Sequence, residues 1–207
     1  LRDGESSVIV DYVFDSNFAV NMYIQTGNTR AAEDRAMIML IDTALGHLPF
    51  QILRTEQAVG YAVGMSRRID GPFVGLTISV QSPKYDPKDL DSRIKSMIDT
   101  RFTDALGNIQ SELFDSIKIT AVNLLQERNT KLKEEADQYW SKITYKLYDF
   151  QRRQETINAI SSISLEDFKK YTLSRLVTNR KSVSIHVWPK NGKEVGYDDI
   201  SVYYSGI

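Results

Sequence analysis

Residues 73–81 alternate cleanly between two kinds of side chain. One set is apolar and the other is small or polar, which is the pattern of a β-strand that buries only one of its faces. A sheet made of such strands needs helices against its apolar face to form a core. The apolar set is Val74, Leu76, Ile78 and Val80, and the other set is Gly75, Thr77, Ser79 and Gln81.

Other stretches with the period of a strand lie near the two ends of the chain and before residue 70. Val8 to Phe14 and Phe18 to Ile24 alternate and flank the turn residues Asp15-Ser16-Asn17, so we expect the first two strands to form a hairpin. A second hairpin is predicted around Asp70-Gly71-Pro72. Val183 to Val187 predict a closing strand.

Helical spacing occupies most of the remaining chain. It predicts a helix from about Thr29 to Leu45, a short helix from Phe50 to about Ala58, and a helical region that begins at Asp86-Pro87. That region is expected to run, with breaks, to about Tyr148. The last two helices are predicted over roughly Gln154 to Ile160 and, from a capping box of Ser164 and Asp167, to about Leu176.

The order of these elements, β-β-α-β-β-α…α-β, predicts an α+β fold class. We expect a largely antiparallel β-sheet with helices packed on one face. We also expect a single domain over residues 1–190, followed by a tail of uncertain order over residues 191–207. The first residue is not Met, and the first residues lack the layout of a signal peptide, so we interpret the start as a cut inside a longer chain.

Composition excludes several classes of protein. With 26 Lys and Arg against 27 Asp and Glu, the formal net charge is −1, whereas a general nucleic-acid binder needs a basic surplus to displace counterions. The absence of Cys excludes disulfides, thiolate metal ligands and thiol nucleophiles, and it fits a reducing compartment. No stretch approaches the roughly 20 apolar residues that span a bilayer. We therefore expect no nucleic acid, no membrane span and a cytoplasmic location, with mitochondrion or peroxisome as alternatives.

The two histidines do not suggest a metal site. His47 follows the predicted end of a helix, where it would be a polar cap, and His186 is expected on the outward face of the last strand. Neither has a second His or a carboxylate at the spacing of a zinc site. The sequence also lacks a nucleophile elbow, a phosphate loop and a dinucleotide-binding glycine pattern. We therefore expect no metal ligands and no self-contained catalytic apparatus in this chain.

The segment from Phe50 to Tyr61 is the one place where the residue types suggest chemistry. Arg54 and Tyr61 are seven residues apart, at a predicted transition from helix to strand. A guanidinium offers a planar fork of donors and a phenol offers one more, and both suit a peptide carbonyl or a developing oxyanion. The alternative is structural: an arginine extended over the surface of a short helix and an ordinary tyrosine on a strand.

Several motifs together resemble the insulinase-type (inverzincin) zinc metallopeptidases. They are similar to signatures in the C-terminal half of these enzymes, and in the second motif more similar to the insulin-degrading-enzyme branch than to the pitrilysin branch. The similarity covers roughly residues 6–188 in register. The motifs are Leu53-Arg54-Thr55 with Gly60-Tyr61, Tyr139-Trp140-x-x-Ile143-x-x-x-x-Tyr148-x-Phe150, Gln81-Ser82, and Val183-Ser184-Ile185-His186-Val187.

The resemblance implies a domain that works as part of a larger enzyme. Members of this type carry four homologous α+β domains in two bowl-shaped halves that enclose a peptide, and the zinc motif His-x-x-Glu-His belongs to the first. This chain resembles the fourth domain, so its partners would be peptide substrates and the N-terminal half of its own chain, with a homo-oligomer as a further expectation. The parent would be a zinc metalloendopeptidase with its zinc in another domain, and this chain alone would be inactive. The rival interpretation is a non-catalytic scaffold of the same fold, as in the bc1 core subunits or inactive processing-peptidase subunits.

Three positions carry over from the family to the segment described above. Phe50 would help to line the substrate pocket, Arg54 would hold the substrate backbone, and Tyr61 would help to stabilise the tetrahedral intermediate. The chain departs from the family four residues after the arginine, where Ala58 replaces the usual Gln and Gln57 lies one place earlier. The role of that position is therefore open.

The family resemblance also implies an anion-binding loop before the Tyr-Trp pair. In this sequence the basic residues of that loop are Arg128, Lys131 and Lys133, whereas Asn129 and Thr130 replace a Pro-Lys pair. The thinner basic loop favours a solvated connection between two helices over an anion site, because exposed lysines are common.

Overall fold

The computed structural model describes residues 2, 4–13, 15–127, 132–144, 151–190 and 201–205. Its strands form one six-stranded sheet in the order β3-β4-β2-β5-β1-β6. Only the β1–β5 pair is parallel, and the other four neighbouring pairs are antiparallel. The predicted α+β class with a largely antiparallel sheet is confirmed. The strands are β1 Ser6–Val13, β2 Phe18–Asn28, β3 Ala62–Asp70, β4 Phe73–Ser82, β5 Lys181–Pro189 and β6 Ser201–Ser205.

Ten helical segments accompany the sheet in the described part of the chain. Three of them, α2, α4 and α10, have the wider π-type spacing. The helices are α1 Ala32–Leu45, α2 Phe50–Glu56, α3 Pro87–Met97, α4 Ile98–Phe102, α5 Thr103–Gly107, α6 Ser111–Gln126, α7 Leu132–Thr144, α8 Arg152–Ser162, α9 Leu165–Leu173 and α10 Ser174–Thr178.

The predicted helix starts are supported by caps. The Asp86 carboxylate accepts hydrogen bonds from the backbone N–H groups of Lys88 and Asp89, at 2.8 and 3.0 Å. The Ser164 hydroxyl accepts one from the backbone N–H of Asp167 at 3.1 Å. Each bond satisfies a donor that the first helical turn leaves without an intrahelical partner. The predicted end of the long helical region at Tyr148 lies outside the described residues.

One predicted hairpin is confirmed and the other is wrong. β3 and β4 pair across the two-residue turn Gly71-Pro72, as expected. β1 and β2 do not pair, because β5 lies between them, parallel to β1 and antiparallel to β2. Turn residues such as Asp15-Ser16-Asn17 indicate that the chain reverses, but they do not determine whether the two strands become neighbours.

The apolar face of the sheet packs against α1. Val20, Met22 and Ile24 of β2 are fully buried, and Met37 and Leu40 of α1 meet them in one hydrophobic cluster. Burying a side chain of this size contributes roughly 1.5–3 kcal/mol. Among the described residues, the helical stretch Ala32–Glu56 is long and apolar enough to cross a bilayer, yet most of it is buried, as in the core helix of a folded domain.

The structure corrects the expected position of His186. This side chain is 5% exposed and faces α3 rather than solvent, with its Nε2 atom 3.5 Å from Oδ1 of Asp91. The same carboxylate accepts a hydrogen bond from the Ser184 hydroxyl at 2.6 Å and pairs with Lys95 at 2.8 Å. Ser182, Ser184 and His186 form a polar row on β5, but all three are buried. Ser184 and His186 lie against the Asp91 carboxylate, and the Ser182 hydroxyl lies 3.1 Å from that of Ser6.

The C-terminal tail contributes one strand. Ser201–Ser205 forms β6, which pairs antiparallel with β1. Residues 191–200 lie outside the described part of the chain. The division into one domain of residues 1–190 and a tail stays a prediction.

Candidate functional site

The structure brings Phe50, Arg54 and Tyr61 together at one end of the sheet. The guanidinium carbon of Arg54 lies 4.5 Å from the centroid of the Phe50 ring and 4.4 Å from that of Tyr61. Phe50 and Tyr61 are 45% and 83% exposed, so the stack stands at the surface. The three residues singled out in the sequence therefore form one cluster, with the arginine between two aromatic rings.

The two rings hold the guanidinium by a cation–π contact. A cation over an aromatic ring is attracted by the quadrupole of the ring, and this attraction requires no hydrogen-bond acceptor for the N–H donors. Within the described residues, neither the Arg54 guanidinium nor the Tyr61 hydroxyl has a hydrogen-bond partner. Both groups can therefore donate to a ligand without first breaking an internal bond.

The end of α2 depends on an unusual backbone conformation at Ala58. This residue has φ +49°, in the left-handed region that is costly for a residue with a β-carbon. The turn brings the Gln57 N–H to the Ile52 carbonyl and the Val59 N–H to the Leu53 carbonyl, both at 2.9 Å. Ala58 therefore occupies the position where helices commonly end with glycine. Its side chain is exposed, so these backbone hydrogen bonds rather than side-chain packing hold the turn.

Position 60 requires glycine, because the backbone there passes close to β4. A β-carbon at this position would lie 1.8 Å from the Gln81 carbonyl oxygen, far inside van der Waals contact. The buried Ser82 hydroxyl donates to the Val59 carbonyl and accepts from the N–H groups of Lys84 and Tyr85. These contacts attach the segment before Tyr61 to the end of β4.

A second set of contacts fixes α2 from the side of α3 and α4. The Glu56 carboxylate accepts two hydrogen bonds from Arg101, at 2.9 and 3.0 Å, and the Gln57 side chain accepts one from Arg93 at 3.0 Å. The hydrogen bonds from Arg101 lower the pKa of Glu56. Ile52 and Leu53 anchor the same helix in the core. The helix that carries Arg54 is thus held by the core, by α3 and α4, and by the end of β4.

A groove of about 650 Å³ crosses the sheet next to this cluster, on the face opposite α1. Arg54 and Tyr61 stand at one end of it. The strand register places seven of its other lining residues in two rows, and most of their side chains are small, so backbone and short polar groups form the floor. The rows are Val187, Ala19, Gln81 and Ala62, and then Asn21, Ser79 and Gly64.

The remaining predicted site residues are only partly described. Arg128 and Lys131 lie outside the described residues, and Lys133 is an exposed residue of α7. Anion binding by this loop therefore stays a prediction. In the described part of the chain, no group of three or more His, Asp or Glu side chains comes close enough to hold a metal ion. The helix that carries the Tyr-Trp pair is present, and Trp140 is 68% exposed.

The sequence interpretation missed the residues that support the cluster. In the sequence, Ser82 stands out only as part of a family motif, and nothing in the sequence pairs Glu56 with Arg101. It also missed a second cavity, of about 540 Å³, on the helix side of β3. A Gly-Tyr pair that follows a helix end directly is a signal for a close backbone approach, but only the strand pairing shows which carbonyl is approached.

Comparison with known proteins agrees on one family. Residues 40–140 match the sequence profile described as "PQQ synthase PqqF-like, C-terminal lobe domain 4". The chain is 28% identical over 187 residues to a putative zinc protease, mug138, of Schizosaccharomyces pombe, covering 89% of this chain and 19% of that protein. It is 27% identical to human nardilysin, covering 84% and 15%, and 26% identical to human insulin-degrading enzyme, covering 83% and 17%. The chain thus spans less than a fifth of the length of these relatives.

Solved structures share the fold. Pitrilysin superposes with a TM-score of 0.76 at 20% identity, covering 93% of this chain and 21% of pitrilysin. An inactive domain of an M16 peptidase from Pseudomonas fluorescens gives a TM-score of 0.62 at 15% identity, covering 94% of this chain and 46% of that one. The resemblance predicted from the Leu-Arg-Thr and Gly-Tyr motifs is confirmed. The chain is nearly as similar to insulin-degrading enzyme as to nardilysin, so these identities favour neither as its relative.

Proposed function

Because the chain is a C-terminal domain of the insulinase (M16) peptidase type, we propose that it is the zinc-free fourth domain of a zinc metalloendopeptidase. In this proposal the domain forms part of the chamber wall and binds peptide substrate. Arg54 and Tyr61 contact the substrate next to the bond that is cleaved, and Phe50 supports the arginine and lines the pocket. The 207-residue chain alone is inactive.

The observation that carries the proposal is the guanidinium of Arg54 stacked between two exposed rings, at the end of an open groove. Its donors are oriented before any ligand arrives, so little conformational entropy is lost when a peptide carbonyl accepts from them. The Tyr61 phenol can donate to the oxygen that becomes negative as the carbonyl is attacked. Such a donor stabilises the transition state more than the ground state, which is the condition for catalysis.

The zinc belongs to another part of the parent protein in this proposal. The described residues of this chain do not fit a zinc centre, because they bring no three suitable ligands together. When bound in its own domain, zinc would supply a Lewis acid and an activated water. The residues of this chain contribute orientation of the peptide and hydrogen-bond donors.

The test is peptide hydrolysis by the full-length protein that contains this chain. We expect Arg54→Ala to lower kcat/KM by about tenfold to a hundredfold, because the donors that orient the peptide are lost. Arg30→Ala is the matched control, since Arg30 is an exposed arginine away from the groove. Equal activity of the two variants would remove Arg54 from substrate binding.

The alternative function is a non-catalytic scaffold of the same fold. The similarity to an inactive M16 domain gives this alternative a specific basis in fold. The two functions differ in the first domain of the parent: an intact His-x-x-Glu-His with a downstream Glu supports the peptidase, and its loss supports the scaffold. Under the scaffold alternative, the full-length protein binds no stoichiometric zinc and cleaves no peptide.

The cellular setting of the parent protein follows from the same proposal. We propose peptide substrates, a cytoplasmic location and contact with the N-terminal half of the same polypeptide. A homo-oligomer is a further prediction.

A further inference from the structure

Strand β3 lies at one edge of the sheet, and its outer side is open. β4 covers one of its edges, and in the described chain no strand pairs with the other. All nine residues of Ala62–Asp70 are exposed or half-exposed. An open edge of this length is a template for another strand unless the protein protects it.

The hairpin turn indicates which backbone groups face the open edge. Gly71-Pro72 is a two-residue turn with Gly71 at φ +54°, and the residues that flank such a turn form a hydrogen-bonded pair. The register is unbroken from there, so every second residue points its N–H and C=O toward β4. The residues between them, Val63 and Met65 among them, point theirs outward.

Charge divides the open edge into two halves. The half next to the turn carries Arg67, Arg68 and Asp70, and charged side chains are a common protection against strand pairing. The half from Ala62 to Ser66 carries no charge and begins directly after Tyr61. The unprotected half of the edge is therefore continuous with the proposed substrate site.

A strand added at this edge would find space on both faces of the sheet. On the face opposite α1, the groove of about 650 Å³ reaches Ala62 and Gly64. On the other face, the cavity of about 540 Å³ is lined by Ile38, Met39 and Met65 among other residues, so much of its wall is apolar. Successive side chains of a strand point to opposite faces, so they would alternate between these two spaces.

We infer that the outer edge of β3, from Ala62 to Ser66, binds substrate peptide as an added strand. This inference rests on the proposed function, because the peptide is the one held by Arg54 and Tyr61. The backbone of the peptide pairs with the outward groups of Val63 and Met65. Side chains on one face of the peptide enter the cavity beside Met39 and Met65, where apolar residues are favoured, and those on the other face lie toward the groove.

The test compares two variants of the full-length protein that differ in one backbone donor. Met65→Pro removes the outward N–H, and Met65→Ala removes the same side chain but keeps that N–H. The substrate is an unstructured peptide of about 12 residues, long enough to run along the edge at roughly 3.3 Å per residue. It is compared with analogues in which one backbone amide at a time is N-methylated.

For the wild type and Met65→Ala, we expect N-methylation to lower kcat/KM at alternate positions of the peptide. In Met65→Pro the outward N–H of residue 65 is missing and the proline ring stands beside the added strand, so this two-residue alternation weakens. The kcat/KM for the unmodified peptide falls by about tenfold relative to Met65→Ala, as expected for one lost hydrogen bond. Unchanged thermal unfolding of the variants shows that the edge position tolerates proline.

Two results would overturn strand addition. One is equal behaviour of Met65→Pro and Met65→Ala. The other is strong protection of the Met65 amide from hydrogen exchange in the peptide-free protein, because another segment of the parent would then occupy the edge. The proposed function is tested separately by Arg54→Ala in the same assay. If Arg54→Ala cleaved the peptide as well as the wild type, that function would be overturned, whatever the Met65 variants do.

Discussion

The Arg54 guanidinium and the Tyr61 ring stack with 4.4 Å between the guanidinium carbon and the ring centroid, although Tyr61 is 83% exposed. The stack separates two functions of the tyrosine, because the ring holds the arginine and the hydroxyl is left to donate. Substitutions can therefore remove one function at a time.

Tyr61→Phe keeps the ring and removes the donor. We expect kcat of the full-length enzyme to fall about 10²–10³-fold with little change in KM, as for the loss of a donor to a developing oxyanion. Tyr61→Ala also removes the stack, which at an exposed site is worth about 0.5–1 kcal/mol, so KM should rise a further twofold to fivefold. Steady-state kinetics on a single peptide measure both effects. If kcat were the same in Tyr61→Phe and wild type, the hydroxyl would have no catalytic function.

Gly60→Ala should destabilise the domain and displace Tyr61. The added β-carbon would lie 1.8 Å from the Gln81 carbonyl oxygen, so the backbone must move, at a cost of about 1–3 kcal/mol. Gly64→Ala is the control, because a β-carbon there meets no atom within 4 Å. Thermal or urea unfolding gives the comparison. A Gly60→Ala variant as stable as Gly64→Ala would contradict the close approach.

Ala58→Gly should stabilise the domain by about 0.5–1 kcal/mol. The left-handed conformation, φ +49°, is strained for alanine and free of strain for glycine, and this gain exceeds the extra entropy of glycine in the unfolded chain. Ala62→Gly, in a strand with ordinary backbone, should have the opposite sign. Urea denaturation midpoints of the two variants are the measurement, and a shift in the same direction for both would count against strain at Ala58.

Asp91 should make stability depend on pH in the acidic range. Burial alone would raise the pKa of Asp91, but the imidazole of His186, the ammonium of Lys95 and the hydroxyl of Ser184 outweigh it and hold the pKa at about 2. A lowered pKa stabilises the fold above the unfolded value of about 3.9, so about 2 kcal/mol should be lost as the pH falls from about 5 to 2.

Removing the carboxylate tests this pH dependence. Asp91→Asn should flatten the fall in unfolding free energy between about pH 5 and pH 2, since no charge remains to be protonated. Asp115→Asn, at an exposed position of α6, should leave the fall unchanged. Urea unfolding at a series of pH values measures both. An equally steep fall in Asp91→Asn would assign the acid sensitivity to other groups.

Features that depend on residues close together in sequence could be predicted, and features that depend on distant residues could not. Alternation in β4 and the turn at Gly71-Pro72 predicted a strand and a hairpin, because neighbours in sequence determine both. The pairing of β1 with β5 joins residues more than 170 positions apart, as in Ser6 and Ser182, and no local pattern contains it. His186 was misplaced for the same reason, since its environment is created by Asp91 on a distant helix.

For the candidate site, the residues could be predicted but their arrangement could not. Family motifs identified Arg54 and Tyr61, and residue chemistry suggested donors. The position of the guanidinium depends on the π-type turns of α2, which no residue pattern in the sequence indicated, and on the contact of Gly60 with Gln81, which is a tertiary feature. The Ser82 hydroxyl joins these parts of the site, and a single serine after a strand carries no sequence signal for such a role.

The central position of β5 has a consequence for how the domain is made. β5 hydrogen-bonds to β1 on one side and to β2 on the other, so it joins the N-terminal strand to the β3-β4-β2 unit. During synthesis, the ribosome releases both of those partners long before it releases Lys181–Pro189. The nascent chain must therefore keep the two unpaired strand edges apart from other polypeptides until Lys181–Pro189 has emerged, and a premature stop codon before residue 181 would leave both edges permanently open.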